Sequence, residues 1–359
     1  MGERLAQFKN FVLKAGIFAV LILLVTASFS GCIGNSDNGN AGDRETITIT
    51  DAFGRVVEIP DNPERIAVSG SGSMRFFVYL GVVDRVVAVD FQDSGSGFVL
   101  LDHRPYSLAH PEIKDRPFLG TGMAVVDAER LLIYNPDVLF YRATSAAAIL
   151  EADRIQSRTG IPVVLFFDGN YITDKEEIDE TLLMLGRILH REQRAKDVIE
   201  FFELTMADLE NRVRGVPAPE TTVFVGGVSY MGARGLNGTN PIYFPFTVLN
   251  LNNVAGDLPL TGPSTGFAIV SQEIILQWDP DIIFIDVQTL AAASDAFSEL
   301  RNDPSYRELT AVRTGNIFAV APHTYMGVNH ETALANSYFI GKLLFPEQFE
   351  DIDPVEKAN

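Results

Sequence analysis

The chain has 359 residues, of which 47% are hydrophobic. At roughly 100 to 150 residues per domain, this length can bury two cores. Its 28 basic and 47 acidic residues give a formal net charge of −19, which is the wrong sign for a protein that binds nucleic acid. The negative charge favours solubility, or attraction to a basic partner.

The N-terminus is typical of an export signal, because basic residues precede an apolar stretch at residues 15–25. Cys32 is the only cysteine, so it has no partner for an internal disulfide, and its position after a small residue resembles a lipoprotein lipobox. We expect residues 1–31 to be a signal peptide and residues 32–45 a flexible tether, lipid-anchored through Cys32 to the outer face of the cytoplasmic membrane. An uncleaved membrane anchor is the alternative, since Phe29 replaces the aliphatic residue usual in a lipobox.

Short strands and helices alternate from residue 46 to residue 173. A β-hairpin is predicted first, because polar and apolar residues alternate on both sides of a turn at residues 52–55. Further strands are predicted at the apolar runs 65–69, 86–90, 138–141 and 163–167. This alternation favours a mainly parallel sheet covered on both faces, so residues 46–173 are predicted to form an N-terminal α/β lobe.

Residues 174–214 contain no proline and one glycine, with apolar residues on a broad helical stripe. A helix of roughly 40 residues would be about 60 Å long. We predict one long α-helix that joins two lobes, with a break near Gly186 or His190 as the alternative. Beyond it, residues 215–346 are predicted to form a C-terminal α/β lobe and residues 347–359 a tail.

A sequence pattern occurs twice, at residues 125–140 and 269–284. In each copy a glutamate, Glu129 or Glu273, stands seven residues before a Pro-Asp pair, with apolar residues at helical spacing between them. Proline cannot continue a helix, so each copy is predicted to be a helix, a turn and a buried strand. The two lobes should therefore be similar, and each should present one glutamate from the same position, away from the strand ends.

Several short motifs, each weak alone, occur in an order that together indicates a protein family. They are the segments at residues 47–55, 63–66, 80–90 and 253–257 and the Pro-Asp pairs at 136–137 and 280–281. Over about residues 46 to 345 the chain resembles the substrate-binding lipoproteins of ABC importers for ferric siderophores, haem and cobalamin. The resemblance implies two Rossmann-like lobes, a connecting helix that allows little hinge motion, and a ligand held in the cleft between the lobes.

The resemblance also implies partners. In this family a glutamate from each lobe meets arginines of the membrane permease, and Glu129 and Glu273 occupy those positions. The chain is thus expected to capture an iron–siderophore type of metal chelate and to deliver it to an ABC permease dimer with its ATPase subunits. Cobalamin or another corrinoid, haem, or an oxyanion in the same role are the alternatives. For the two glutamates, the alternative is simple stabilisation by the helix dipole.

The ligand site is expected where the carboxyl ends of the strands of both lobes face each other. The turn at residues 70–73 opens a helix and suits an anionic group, and Arg75 lies just inside that helix. Many family members carry Thr-Glu where this chain has Met74-Arg75, which suggests an anionic ligand. Arginine would pair with carboxylates or catecholates of a chelate, and tyrosine would stack on it. The candidate ligand-binding residues are Ser71, Arg75, Arg104, Tyr106, Arg142, Tyr230, Arg234, Tyr243, His323 and Tyr325.

The sequence offers little support for an enzyme. It has no His-Glu-x-x-His motif, no Walker loop and no complete Gly-x-Gly-x-x-Gly motif. Its five histidines are scattered along the chain, which argues against a multi-histidine metal site. We therefore predict no catalytic residues, no resident metal and no cofactor. A surface-exposed metal-dependent hydrolase, or a signalling or adhesion lipoprotein that keeps the fold, is the weaker alternative.

Overall fold

The computed structural model describes residues 45–96, 102–217, 219–229, 232, 234–260, 266–291 and 295–358. The predicted signal peptide, most of the tether, and Cys32 lie outside these ranges. No helix in the described part of the chain combines the length and the apolar character that a bilayer crossing requires.

The described residues contain twelve strands and twelve α-helices. The strands are β1 (Thr46–Thr50), β2 (Val56–Pro60), β3 (Ile66–Ser69), β4 (Val86–Ala88), β5 (Val138–Arg142), β6 (Val163–Phe166), β7 (Thr222–Gly226), β8 (Gly238–Thr239), β9 (Asn252–Asn253), β10 (Ala268–Ile269), β11 (Ile282–Asp286) and β12 (Ile317–Val320). The helices are α1 (Met74–Tyr79), α2 (Pro105–Ala109), α3 (Ala128–Tyr134), α4 (Ala147–Thr159), α5 (Lys175–Ile188), α6 (Glu192–Val213), α7 (Phe244–Val248), α8 (Gln272–Trp278), α9 (Ala296–Asn302), α10 (Thr310–Thr314), α11 (His330–Leu344) and α12 (Pro354–Ala358).

Two four-stranded sheets form the two lobes. The first has the strand order β4-β3-β5-β6 and the second the order β12-β11-β7-β9, and all their strands are parallel. Strands β1 and β2 form the predicted antiparallel hairpin, with Thr46 opposite Pro60. The α/β fold with two mainly parallel sheets is confirmed.

Each sheet is covered on both faces, as its apolar strands predict. In β11, Ile282 and Phe284 pack into a core that extends across both lobes, whereas Ile283 and Ile285 pack into a core that belongs to the second lobe. In β3, Ala67 likewise points into a separate core of the first lobe. The alternation follows from the two-residue period of a strand.

The repeated pattern forms the same structure twice. Helices α3 and α8 have seven residues each, and Glu129 and Glu273 are their second residues. Asn135 and Asp279 end the helices in the left-handed conformation, with φ of 44° and 42°. A residue before proline is displaced from the α region, which explains why both helices end there.

The aspartates of the two Pro-Asp pairs connect neighbouring strands. The carboxylate of Asp137 accepts a hydrogen bond from the Arg65 amide at 2.9 Å, and that of Asp281 accepts one from the Thr222 amide at 2.8 Å. Each aspartate thus ties the start of the central strand, β5 or β11, to the start of its neighbour, β3 or β7.

The connecting segment differs from its prediction, since the single helix predicted over residues 174–214 is wrong. Helix α5 ends at Ile188 and α6 begins at Glu192, with His190 between them at φ of 52°. Lys175 Nζ lies 2.8 Å from Glu203 Oε1, although the two residues would be about 42 Å apart along one straight helix. The break near His190 therefore folds α5 back along the first half of α6.

Helix α6 alone joins the lobes. Its 22 residues span about 33 Å. Near its start, Arg194 donates a hydrogen bond to the Tyr79 carbonyl of the first lobe at 2.8 Å. Near its end, Asp208 accepts a hydrogen bond from the Tyr338 hydroxyl of the second lobe at 2.6 Å.

The described part of the predicted tail, residues 347–358, packs against the second lobe. Phe349 is fully buried in the large core. Arg212 makes two hydrogen bonds to the Asp351 carboxylate, at 2.6 and 2.9 Å, and Lys342 donates to the Phe349 carbonyl at 2.8 Å. The C-terminal segment is therefore part of the lobe.

Candidate ligand-binding cleft

The two lobes touch at the carboxyl ends of their strands. The turn after β3 meets the loop that follows β12, and the contact is closest at Gly72, which has a φ of 82°. A Cβ atom at Gly72 would lie 1.8 Å from the Met326 carbonyl oxygen, so only glycine fits there. The sequence-based location of the cleft thus matches the place where the lobes meet.

Arg75 lies at this contact and is fully buried. Its Nη2 atom donates to the Met326 carbonyl at 2.9 Å and to Asn329 Oδ1 at 3.3 Å, both from the second lobe. Its Nε and Nη1 atoms have no hydrogen-bond partner among the described residues, and no described carboxylate forms an ion pair with it. The buried guanidinium thus has no direct ion-pair partner among the described residues and keeps two donor nitrogens available, so the site suits an anion.

Arg104 is also buried, with 1% of its surface exposed, but its charge is matched. Its Nη1 lies 2.6 Å from Asp93 Oδ1 and its Nε 2.8 Å from Asp102 Oδ1. Lys114 Nζ lies 2.9 Å from the other oxygen of Asp102. Although burial acts to raise it, the pKa of Asp102 is held below its ordinary value by hydrogen bonds from Arg104 and Ser107. Arg104 has little capacity left for an anionic ligand.

The predicted anion-binding turn already holds a carboxylate. Asp90 accepts hydrogen bonds from the Gly70 amide at 3.1 Å, the Ser71 hydroxyl at 3.2 Å and the Ala124 amide at 2.8 Å. Helix α1, which follows the turn, has only six residues. Ser71 therefore shapes the turn through Asp90.

Tyr106 and Tyr325 line the same region from opposite lobes. The Tyr106 ring lies near both arginines, with its centroid 5.6 Å from Arg75 Cζ and 5.4 Å from Arg104 Cζ. Tyr325 is half-buried, and its ring packs edge-on against His103 with centroids 6.4 Å apart. This His103–Tyr325 pair gives the cleft a partly exposed aromatic wall.

Tyr243 and His323 lie deeper than predicted, in the interior of the second lobe. Tyr243 is fully buried in the large core, and its ring centroid is 4.8 Å from that of His323. Burial lowers the pKa of His323 to about 3, so the imidazole is neutral. Core packing accounts for Tyr243, whereas both ring nitrogens of His323 are buried without a hydrogen-bond partner among the described residues.

The remaining candidates are distributed differently. Arg142 forms an ion pair with Asp168. Arg234 is exposed before a short turn at Gly235–Asn237. Tyr230 lies outside the described residues. Arg142 also lies against Gly70 of the turn after β3. The structure thus gathers Ser71, Arg75, Arg104, Tyr106, Arg142 and Tyr325 near one contact between the lobes.

Three residues of the cleft were not predicted. Asn329 contacts Arg75, and His330 is buried beside it, with a pKa lowered first by burial and then by the charge of Arg75. A Cβ at Gly327 would lie 3.4 Å from both Arg75 and Asp168 Oδ2, which places Asp168 near the guanidinium. Asp168 follows the end of β6, so the strand-end rule could have identified it.

The two repeated glutamates are exposed, and their helices begin at the cleft edge of each sheet. The segment before α3 is tied to the end of β5, because the Tyr141 hydroxyl donates to the Ala124 carbonyl at 3.1 Å. The segment before α8 contains β10, which pairs with β8, and Thr239 of β8 donates to the Val225 carbonyl near the end of β7 at 2.7 Å. The predicted position away from the strand ends is therefore wrong: antiparallel packing of a helix on its strand returns the helix start to that edge.

Residues 66–324 match the sequence model of the family described as periplasmic binding protein. The chain belongs to this family. The molybdate-binding protein MolA of Haemophilus influenzae is 21% identical over 332 residues, which cover 87% of this chain and 88% of that protein. A solved structure of MolA bound to molybdate has a TM-score of 0.64 at 20% identity and covers 87% of this chain and 95% of that one.

Two proteins of Bacillus subtilis are also similar. The ABC transporter substrate-binding lipoprotein YvrC is 21% identical over 326 residues, covering 86% of this chain and 90% of that protein. The crystal structure of the petrobactin-binding protein YclQ has a TM-score of 0.58 at 18% identity, covering 86% of this chain and 98% of that one. The predicted class, an extracytoplasmic solute-binding protein of the ABC-transporter type, is confirmed by the family.

The family and these relatives are transport proteins, so the hydrolase alternative gains no support. A Gly-x-Ser-x-Gly spacing does occur at residues 262–266. A nucleophile elbow needs a strand directly before the serine and a helix directly after it, whereas the next described element is strand β10. The described residues contain no group of three or more His, Cys, Asp or Glu side chains that could hold a metal ion.

Proposed function

We propose that this protein binds an anionic solute at Arg75, between its two lobes, and delivers it to an ABC permease. The observation that carries the proposal is the state of Arg75, a fully buried guanidinium whose hydrogen-bond acceptors among the described residues are neutral. An anion would supply a direct ion-pair partner, and Arg75 Nε and Nη1 would donate to it.

A compact oxyanion fits this site best. The Met326 carbonyl approaches both Gly72 and Arg75 closely, so a small ligand would need less separation of the lobes than a large chelate. Ser73 Oγ and His330 Nε2 are buried and have no hydrogen-bond partner among the described residues, so they add neutral polar groups to the neighbourhood of Arg75. The molybdate-binding relative MolA supports an oxyanion as the ligand class.

A ferric chelate, which the sequence analysis favoured, is the second candidate. The aromatic pair of His103 and Tyr325 offers partly exposed surface for a conjugated ligand, and the relative YclQ is a petrobactin-binding protein. A chelate that carries carboxylates or catecholates would also need a cation such as Arg75. Its size would require the lobes to separate at Gly72.

Delivery would use the exposed face around the cleft. Glu129 and Glu273 stand at equivalent helix starts on the two lobes, so each lobe would present one carboxylate to the permease. Such a pair could select one orientation on a two-fold permease that presents arginines. Lipidation at Cys32 would hold the protein at the membrane surface.

Thermal shift and calorimetry on the full-length protein would test the ligand. The panel would contain molybdate, tungstate, sulfate and phosphate, together with ferric petrobactin, haem and cyanocobalamin. A ligand at 100 times its dissociation constant adds about 2.7 kcal/mol of stability. We expect an oxyanion to stabilise the wild-type protein and the control variant Arg158→Gln, in which an exposed arginine is changed, but not Arg75→Gln.

Each of the other outcomes would change a different part of the proposal. Stabilisation by a ferric chelate alone would replace the oxyanion by the second candidate. Oxyanion binding that persists in Arg75→Gln would move the site away from Arg75. If no member of the panel binds, the anion-binding function itself is contradicted.

A further inference from the structure

A cavity of about 380 Å³ lies in the first lobe, and its lining includes none of the candidate ligand-binding residues. It is located between the hairpin turn after β1, helix α5 and the residues that follow β5 and β6. The Ala52 amide donates to the Leu165 carbonyl at 3.1 Å, so the hairpin turn is fixed beside β6. The volume lies in the range of small-molecule sites, which begin at about 300 Å³.

One face of α5 forms a wall of the cavity. Glu177, Glu180, Thr181 and Met184 all line it, and their spacing places them on the same side of the helix. Thr181 is 2% exposed, and its hydroxyl has no hydrogen-bond partner among the described residues. The wall therefore combines carboxylates, a buried hydroxyl and an apolar side chain.

The charge of the cavity is negative. Glu177 and Glu180 are exposed, and no hydrogen bond or ion pair joins either side chain to the described residues. Asp51 also lines the cavity, but Arg55 Nη1 lies 3.0 Å from its carboxylate and compensates it. No basic side chain is among the described lining residues. The dipole of α5 stabilises Glu177 in the first turn, but it does not explain Glu180 one turn later.

The other walls are apolar and aromatic. Phe53 comes from the hairpin turn and Phe167 follows β6, and both are half-buried. Aromatic rings attract cations at their faces, and a thioether such as that of Met184 adapts to irregular apolar groups. Two carboxylates beside two rings are thus complementary to an ammonium group on an apolar body.

We infer that this cavity binds a small organic cation, an alkyl- or arylammonium compound, independently of the anion at Arg75. The ammonium group would lie between Glu177 and Glu180, and the apolar body would pack on Phe53, Phe167 and Met184. The formal net charge of −19 adds a long-range attraction for cations. A cavity of this volume holds a whole small molecule and is larger than one lysine side chain of a partner protein needs.

The test is a titration of the full-length protein with 2-phenylethylammonium chloride, followed by NMR of the methionine methyl groups. The chain has seven methionines, and Met184→Leu would assign the signal of Met184. We expect that signal to shift with a dissociation constant in the millimolar range or below. The uncharged analogue 2-phenylethanol should bind about tenfold more weakly, because it cannot pair with carboxylates.

Matched variants distinguish binding at Glu177 and Glu180 from attraction of the cation by the net negative charge. Glu177→Gln combined with Glu180→Gln should weaken binding of the ammonium probe about tenfold. Glu176→Gln, an exposed glutamate on the same helix that does not line the cavity, should leave binding unchanged. Arg75→Gln should also bind the probe normally, so a failure here would not bear on the anion site.

Three results would overturn the inference. The first is the absence of a Met184 shift at any millimolar concentration of the probe. The second is equal binding of the ammonium and the alcohol, which would show a purely apolar cavity. The third is unchanged affinity in the double glutamine variant. If the small probe fails but a lysine-rich peptide shifts the Met184 signal, the cavity serves a protein partner instead.

Discussion

Arg75 and Arg104 are two buried arginines near the same tyrosine ring, and they differ in their partners. Arg104 meets the carboxylates of Asp93 and Asp102, whereas Arg75 meets only neutral oxygens among the described residues. Burial and residue type are therefore the same at both positions, and the counter-charge alone distinguishes them. A buried charge that is matched inside the chain indicates structure, and one that is unmatched indicates a ligand.

The largest expected effect concerns stability. Arg104→Ala would leave Asp93 buried without its ion-pair partner, and breaking such a pair costs about 3 to 5 kcal/mol. Arg75→Met loses two hydrogen bonds but also removes an uncompensated charge, so the free energy of unfolding should stay within about 1 kcal/mol of wild type. Urea unfolding of both ligand-free variants measures the difference. Equal destabilisation would remove the distinction between the two arginines.

The next effect concerns affinity. Arg75→Glu places a second negative charge against the anion, and we expect binding of molybdate to weaken well over tenfold, or by about 2 to 5 kcal/mol. The control is Arg158→Gln, which changes an exposed arginine of α4 that is not a candidate ligand-binding residue. Calorimetry gives both affinities, and far-UV circular dichroism checks that the variants fold. Unchanged affinity in Arg75→Glu would exclude Arg75 from the site.

The sequence predicts the local parts of this structure well. Strands appear as short apolar runs, and proline with its preceding residue fixes the end of each repeated helix, because both signals act within a few residues. The break at His190 depends on packing: a Cβ at Gly186 would lie 2.7 Å from the Ala195 side chain, so α5 and α6 must fit closely. Sequence spacing alone does not contain that information.

The hydrogen-bond partners of Arg75 and Arg104 could not be predicted from the sequence either. Arg104 and Asp93 are 11 residues apart, yet whether they pair depends on how the intervening loop folds. Arg75 and Asn329 are 254 residues apart and come from different lobes. Residue type therefore predicts which arginines could bind an anion, and only the fold shows which one is unpaired.

Two histidines also differ in their burial and in their partners, and the expected effect on stability is smaller. His110 lies near the surface, 2.9 Å from the Glu112 carboxylate, whereas His323 is buried and has no hydrogen-bond partner for its ring among the described residues. Burial lowers the pKa of His323 to about 3, against about 6.5 in the unfolded chain. Between pH of about 6.5 and about 3 the imidazole is protonated in the unfolded state but neutral in the folded state. The free energy of unfolding therefore falls as the pH falls, by at most about 1.4 kcal/mol per pH unit.

Replacing His323 should therefore flatten the acid side of the stability profile. In His323→Phe, the free energy of unfolding should lose part of its decline between about pH 6.5 and pH 4, because the buried imidazole no longer titrates. Urea unfolding at a series of pH values measures this. An unchanged slope in His323→Phe would mean that another group causes the acid sensitivity.

The smallest individual effects are expected at the surface. Glu129 and Glu273 are exposed at equivalent helix starts, and no ion pair joins either to the described residues. An exposed pair with a permease arginine contributes about 0.2 to 1 kcal/mol, so each single alanine variant should reduce permease-stimulated ATP hydrolysis only a few-fold. Charge reversal at both positions should be worse than either change alone, because repulsion then acts on both lobes.

Charge reversal at both Glu129 and Glu273 also tests whether these unpaired carboxylates bind the permease, in the way that Arg75 is proposed to bind the anion. Both glutamates are exposed, so molybdate affinity should stay near wild type while uptake falls, and association of the wild-type protein with the permease should slow as salt rises. Glu192→Lys, at another exposed helix start, provides the control and should transport normally. If the doubly reversed protein transports as well as this control, the two glutamates only stabilise their helices, and the permease must recognise a different surface.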